Sequence, residues 1–331
     1  GVTVPLDPYY PEGDEFREFE IYSYKPAFNK LKIYQRHTRM SKWIAWGSSI
    51  AAILILVFVL VRPWEYHDEV QELVEVTQHI IPPGSNTAIL KLADGRMIEI
   101  GKQPLELKDV QGSVVKYENG RLSYSSGEEG RVTEAYNELV VPVGGECHVL
   151  LDDGTEVWLN ADSKLKYPIT FSGESREVIL SGEAYFDVAK NKDCPFIIQS
   201  QDYKIRVLGT TFNLNNYEDS EELQLTLCTG KVLMNFGEEQ LKLTPGEQLV
   251  LDKTNMHLER EHVNTQNYML WMQNKLYFNR TPIQEVTRRL ERVYNYTIQL
   301  DSSFVFNNFL SGTHDNRSLE AVLESIRLAT G

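Results

Sequence analysis

The chain has 331 residues, with 33 Lys plus Arg against 47 Asp plus Glu and a formal net charge of −14. Seven of the bases and six of the acids precede Trp43, so the rest of the chain carries 26 bases against 41 acids. That balance argues against nucleic acid as a direct ligand of this larger part. Three cysteines, Cys147, Cys194 and Cys228, are too few for a disulfide framework and lack metal-ligand spacing, and each reads as a buried apolar side chain.

Residues 1–42 hold Pro5, Pro8, Pro11 and Pro26 and no sustained helical stripe; Glu12, Asp14, Glu15, Glu18 and Glu20 are interleaved with Phe16, Phe19, Tyr22 and Tyr24. Such an acidic, aromatic stretch reads equally as a dock for a basic partner and as a disordered segment. Next come Lys25, Lys30, Lys32, Arg36, Arg39 and Lys42 with no acid among them. Residues 43–61 (WIAWGSSIAAILILVFVLV) contain no charge, and a helix of that length just crosses the ~30 Å hydrocarbon core of a bilayer. Beyond it Glu65, Asp68, Glu69, Glu72 and Glu75 follow a single Arg62. The excess of bases on one flank predicts residues 1–42 in the cytoplasm and about 270 residues outside. Trp43, Trp46, Trp64 and Tyr66 lie where interfacial aromatic belts are expected, and Pro63 stops the helix.

Residues 62–83 form a linker ended by Pro82-Pro83-Gly84. From 84 to 264 β-branched and aromatic residues alternate with polar ones between turn dipeptides such as Asp94-Gly95, Asn119-Gly120, Asp153-Gly154 and Thr229-Gly230. The pattern predicts a mainly β domain rich in hairpins, built as a sandwich, a barrel or a solenoid-like stack. Residues 88–100 and 148–159 repeat one grammar of strand, Asp-Gly turn and strand, which reads first as two hairpins. After 264 the pattern changes. A short strand at 276–279 leads to a helix with Thr281 as N-cap, Pro282 at its first position, Glu285 in its first turn and an apolar stripe of Ile283, Val286, Leu290 and Val293. Strands at 296–300 and 309–313 follow, then a second helix capped by Ser318 and carrying Leu319, Val322, Leu323 and Ile326. Residues 265–331 thus read as a small α+β module, and the chain stops before the closing strand expected of it.

Six ordered blocks carry a family resemblance: residues 151–160 (LDDGTEVWLN), 167–168 (YP), 176–188 (REVILSGEAYFDV), 195–198 (PFII), 207–214 (VLGTTFNL) and 243–248 (LTPGEQ). They resemble the FecR-type transmembrane anti-sigma regulators. Residues 281–286 and 310–313 resemble the domain that ends such proteins in Bacteroidota-like bacteria, which is akin to the secretin and TonB short N-terminal domain. The resemblance implies a bacterial inner-membrane protein whose cytoplasmic N-terminus holds an extracytoplasmic-function sigma factor. Its periplasmic part would contact the signalling domain of an outer-membrane TonB-dependent transporter. The sigma-binding role of residues 1–42 comes from the resemblance, because their prolines depart from the longer helical domain common in the family.

No nucleophile elbow, metal spacing or phosphate loop is present, so neither conventional enzymatic activity nor a cofactor is expected. One bond is different. In related regulators the Gly-Thr peptide of the Leu-Gly-Thr block breaks by itself, and Gly209-Thr210 stands at that position, with Thr210 as nucleophile and Gly209 on the acyl side. Arg288, Arg289 and Arg292 lie off the apolar stripe of their helix; they read as a solvated face or as a contact for an acidic partner domain. Trp158, Tyr185, Phe186 and Phe212 read as core. The alternatives to a regulator are a membrane-anchored envelope β protein that binds glycan or peptide, and an assembly scaffold.

Overall fold

The computed structural model describes residues 32–34, 86–101, 103–109, 112–125, 135–200, 203–299, 309–315 and 318–330. The expected span at 43–61 and the linker at 62–83 lie outside them, as do residues 1–31 and 35–42. Among the described residues no helix is long and apolar enough to cross a membrane.

Residues 88–262 fold into two β ladders that share one core. The first ladder runs, in spatial order, through Met97–Ile100, Ala88–Lys91, Tyr136–Val141, Ser163–Pro168 and the first half of Arg176–Asp187. It continues through Phe196–Gln199, Tyr203–Val207, Val232–Phe236 and Glu239–Leu243. The second runs through Leu105–Lys108, Val114–Glu118, Arg121–Ser125, Cys147–Leu150 and Glu156–Leu159 to the second half of Arg176–Asp187. Thr211–Asn216, Glu222–Thr229, Glu247–Asp252 and His257–His262 complete it. The chain therefore alternates between ladders, roughly hairpin by hairpin. Alternation of apolar and polar residues along strands such as Tyr136–Val141, Ser163–Pro168 and Arg176–Asp187 makes this possible, because such a strand turns one face inward. Leu90, Leu139 and Ile205 of one ladder and Val149, Phe186 and Leu225 of the other belong to the same buried cluster. Phe186 lies 5.0 Å from Phe212 and 6.2 Å from Phe196, ring centroid to ring centroid, and so links the layers.

The long strand Arg176–Asp187 joins the ladders by changing partners at Gly182. That residue has φ +106°, and a Cβ there would lie 2.4 Å from Ser163 Oγ. Only glycine fits such a crossing. Ser163 Oγ then accepts the Glu183 N–H at 2.9 Å.

The two hairpins expected from their Asp-Gly turns have matching geometry. Gly95 and Gly154 donate to the carbonyls of Leu92 and Leu151, and Asp94 and Asp153 accept from the amides two residues on, at 2.9 and 3.0 Å. They lie in different ladders, so the repeat reflects hairpin chemistry rather than neighbouring units of a pile. At the second turn a buried ion pair closes the structure. Arg176 Nη1 donates to Asp153 Oδ2 at 2.5 Å and to the Ala189 carbonyl at 2.9 Å, and Nε to the Cys194 carbonyl at 2.9 Å.

The C-terminal module has its own core. A 3-10 segment, Thr265–Gln273, leads into strand Lys275–Pro282, which pairs with Phe309–Asp315. Helix α1 is Ile283–Tyr294 and helix α2 is Leu319–Thr330. Ile283, Val286 and Leu290 pack with Leu276, Phe278, Leu310, Leu319, Val322 and Ile326, apart from the β-domain cluster. The first strand is longer than expected, and its extension overturns one expected cap. Thr281 is a strand residue paired with Leu310 across a bulge, its hydroxyl accepting from the Asn279 amide at 3.2 Å. Pro282 is therefore the cap residue of α1, without a side-chain hydrogen bond. Ser318 caps α2 as expected, its Oγ accepting the Ala321 N–H at 3.2 Å. Lys32–Tyr34 lies antiparallel along Thr297–Gln299 as a separate two-stranded ladder.

Candidate functional site

The Gly209-Thr210 peptide lies at the entrance to strand Thr211–Asn216, in the turn that leaves the first ladder for the second. Gly209 has φ +143°, and a Cβ there would come within 2.8 Å of the Lys190 backbone. Thr210 is buried, and its hydroxyl donates to the Lys231 carbonyl at 3.1 Å. The Leu208 and Thr210 carbonyls accept from the Asn191 and Val188 amides at 2.9 and 3.1 Å, holding the backbone on both sides of the peptide. Gly230 sits over it: a Cβ there would lie 2.7 Å from both the Gly209 carbonyl oxygen and Thr210 Oγ1. The Gly209 carbonyl oxygen and the Thr210 hydroxyl thus both border Gly230, at a point that only a glycine leaves open.

The three arginines of α1 do not form one exposed face. Arg288 and Arg289 both pair with Glu285, at 2.9 and 3.2 Å, and Arg289 also donates to the Tyr277 carbonyl. Arg292 turns the other way, into the junction with the β domain, and its side chain is only 6% exposed. Its guanidinium lies 3.8 Å from the Tyr217 ring centroid, and Nη2 donates to Asp219 Oδ1 at 2.5 Å. Burial works against its charge, but Tyr217, Asp219 and Glu285 outweigh burial and raise its pKa. An apolar stripe shows which face of a helix meets its own core. It does not show that the opposite face meets a second domain.

The rest of the junction mixes polar contacts with a sulfur contact between Cys228 and Met269 at 3.7 Å. The Trp271 indole N–H donates to Asn213 Oδ1 at 3.2 Å, and the Gly144 amide donates to the Arg292 carbonyl at 2.7 Å. Glu183 receives Asn160 and Asn213 amide hydrogens at 2.9 and 2.8 Å. A small cavity here, about 80 Å³, is lined by Glu146, Glu183, Tyr217, Trp271, Arg289 and Arg292 among others. Burial pushes the Glu146 carboxyl up to about 7.

Two of the four aromatics expected in the core lie elsewhere. Phe186 and Phe212 are buried. Trp158 and Tyr185 project from the opposite face of the second ladder, where Trp158 stacks on His148 at 4.2 Å and Tyr185 follows at 5.6 Å. Parity could have revealed this, since Tyr185 and Phe186 are consecutive on one strand and cannot both point inward. Cys147 is buried, Cys194 and Cys228 are partly exposed, and all three are free. Among the described residues no cluster of three or more His, Cys, Asp or Glu could hold a metal ion.

The sequence profile described as FecR protein matches residues 137–233, and the one described as FecR, C-terminal, matches residues 275–331. Two crystal structures, at 2.50 and 1.65 Å resolution, of a protein assigned as an anti-sigma factor from Parabacteroides distasonis ATCC 8503 are similar to this chain at 39% and 40% identity. Each similarity has a TM-score of 0.56 and covers 59% of this chain and 92% of that one. No curated protein matches the chain significantly. A β domain of alternating hairpins with a docked α+β module is thus the build of a regulator. The chain belongs to the FecR family of anti-sigma regulators.

Proposed function

We propose that this chain is a single-pass inner-membrane regulator. Residues 1–42 hold an extracytoplasmic-function sigma factor in the cytoplasm, and the β domain and module face the periplasm. There the module receives the signalling domain of an outer-membrane TonB-dependent transporter, so that substrate capture outside is passed to transcription. The observation that carries this reading is the charge-free run at 43–61, flanked by bases before it and acids after it, in a chain whose FecR regions all lie on the acidic side. A span at this place puts Lys32–Tyr34 and Thr297–Gln299 on opposite faces of the membrane, so the strand pair between them and this topology exclude one another in one molecule. With the span in place, the edge of Thr297–Gln299 is open to strand addition by a partner.

Self-cleavage at Gly209-Thr210 belongs to the same reading. Thr210 Oγ1 attacks the Gly209 carbonyl carbon, the C–N bond breaks, and an ester forms with release of the Thr210 amine; water then hydrolyses the ester. Held next to the carbonyl, the hydroxyl acts at an effective concentration that can reach about 10⁵ M. The positive φ of Gly209 and the open point beneath Gly230 support this geometry. The two pieces would stay together, because Thr211–Asn216 pairs with Arg176–Asp187 from the first piece and Glu222–Thr229 from the second.

Tagging the full chain at both ends and treating spheroplasts with protease tests the reading. The N-terminal tag is expected to be protected and to co-purify a sigma factor, and the C-terminal tag to be digested. In untreated membranes two fragments should appear, and Thr210→Ala should leave one intact chain. A digested N-terminal tag would overturn the topology. An intact chain in the wild type would remove Thr210 from the mechanism while leaving the relay in place.

A further inference from the structure

We infer that Arg292 is an intramolecular clasp that holds the C-terminal module closed on the β domain, and that its release is the conformational step of this exterior. The module grips one stretch of chain twice. Trp271 is bonded to Asn213 on strand Thr211–Asn216, and Arg292 lies on Tyr217 and pairs with Asp219, just beyond the end of that strand. A third contact, from the Gly144 amide to the Arg292 carbonyl, fastens the last turn of α1 to a loop between the ladders.

The module does not need this contact to bury its apolar side chains. Its core and that of the β domain are separate clusters, so docking rests on border contacts, the polar ones above and the Cys228–Met269 sulfur contact at 3.7 Å, as in interfaces between domains that move. The clasp is also incompletely satisfied. Arg292 Nε and Nη1 have no hydrogen-bond partner, and the ion-pair contact of Nη1 is with Glu285 at 3.8 Å. A buried cation with unmet donors is costly, and opening returns those donors to water. Asp219, its close partner, is 59% exposed at the side chain and can exchange the guanidinium for solvent or a competing cation. Strand Thr211–Asn216 therefore lies between the Gly209-Thr210 peptide at its start and the Arg292 partners beyond its end.

Hydrogen exchange read by mass spectrometry on the full-length chain in lipid nanodiscs tests the clasp, comparing wild type, Arg292→Ala and Asp219→Ala. Peptides spanning Gly144 and residues 265–274 should exchange about tenfold faster in Arg292→Ala, and faster by a smaller factor in Asp219→Ala. Strand Lys275–Pro282 and the Ile283-to-Leu290 part of α1 should keep their protection in Asp219→Ala, because their own core holds them. Asp219 is a surface residue, so that variant decides the matter even if Arg292→Ala disrupts the module. Unchanged exchange at Gly144 in both variants would overturn the clasp. So would a rise in Asp219→Ala that spreads through the whole module, which would mark Arg292 as ordinary support for its fold.

Discussion

The β domain and the C-terminal module each bury an arginine, and they do so differently. Arg176 uses Nε and Nη1 on two carbonyls and on Asp153, whose side chain is only 9% exposed, leaving Nη2 without a partner. Arg292 uses only Nη2 in a hydrogen bond, to a carboxylate that faces solvent. The first pair ties a hairpin turn to the long strand that joins the ladders, inside one core. The second lies on a border between two cores. A buried charge that is largely bonded to buried partners fixes a fold, whereas one bonded across a border to an exposed partner marks a joint.

The largest expected effect sharpens that contrast. Asp153→Ala leaves Arg176 buried without its counter-charge, and breaking such a pair costs about 3–5 kcal/mol. Asp219→Ala also leaves a buried guanidinium without its partner, but opening of the module returns Arg292 to water, so the cost should be smaller than that of Asp153→Ala. Urea unfolding followed by circular dichroism measures both. Neutralising both members of the buried pair, Arg176→Met with Asp153→Asn, should recover part of the loss, since no lone charge then remains and Asn keeps the acceptor of the turn. Equal costs for Asp153→Ala and Asp219→Ala would break the comparison.

How much of this was legible in the sequence follows from the range of the interactions. The Asp-Gly turns, the Ser318 cap and the α1 stripe depend on residues a few places apart, and the chain announces them. The alternation of hairpins between two ladders depends on pairings such as Leu165 with Leu139 and Gly182 with Asn216, which no local pattern encodes. Thr281 fits a cap by its local pattern, but the strand before α1 runs on through a bulge to Pro282, and Arg280 at φ +44° makes that bulge. At the candidate cleavage bond Gly209 and Thr210 come from the family resemblance, since their local pattern is that of an ordinary turn. Gly230, which lies over them, is twenty residues beyond Thr210 and has the local pattern of one more turn glycine.

A smaller effect concerns the joint itself. Burial raises the Glu146 carboxyl from its ordinary value of 4.5 to about 7 in the folded chain. Between those values the folded protein keeps a proton that the unfolded chain has lost, so stability falls as pH rises through this window. Lys275, Arg289, Arg292 and Glu183 line the same cavity, so the effect should be read at the junction. Urea midpoints at pH 5 and pH 8 are expected to differ in the wild type, with the lower stability at pH 8, and the difference should shrink in Glu146→Gln. An equal difference in both proteins would place the pH dependence elsewhere.

The smallest effect asks whether the two regions unfold as one. Ser318 Oγ satisfies an amide at the start of α2, and replacing such a cap by Ala costs about 1 kcal/mol. Asp at the same place accepts the same hydrogen bond and suits the positive end of the helix dipole, so Ser318→Asp should restore the loss. Because the buried residues of α2, Leu319, Val322 and Ile326, belong to the module core, Ser318→Ala should lower a melting transition of the module and leave that of the β domain unmoved. If the exterior instead shows a single transition that shifts as a whole, docking through Arg292 and Trp271 is strong enough to merge the two cores into one cooperative unit. The border would then be a fixed interface, and the contrast between the two buried arginines would be one of degree.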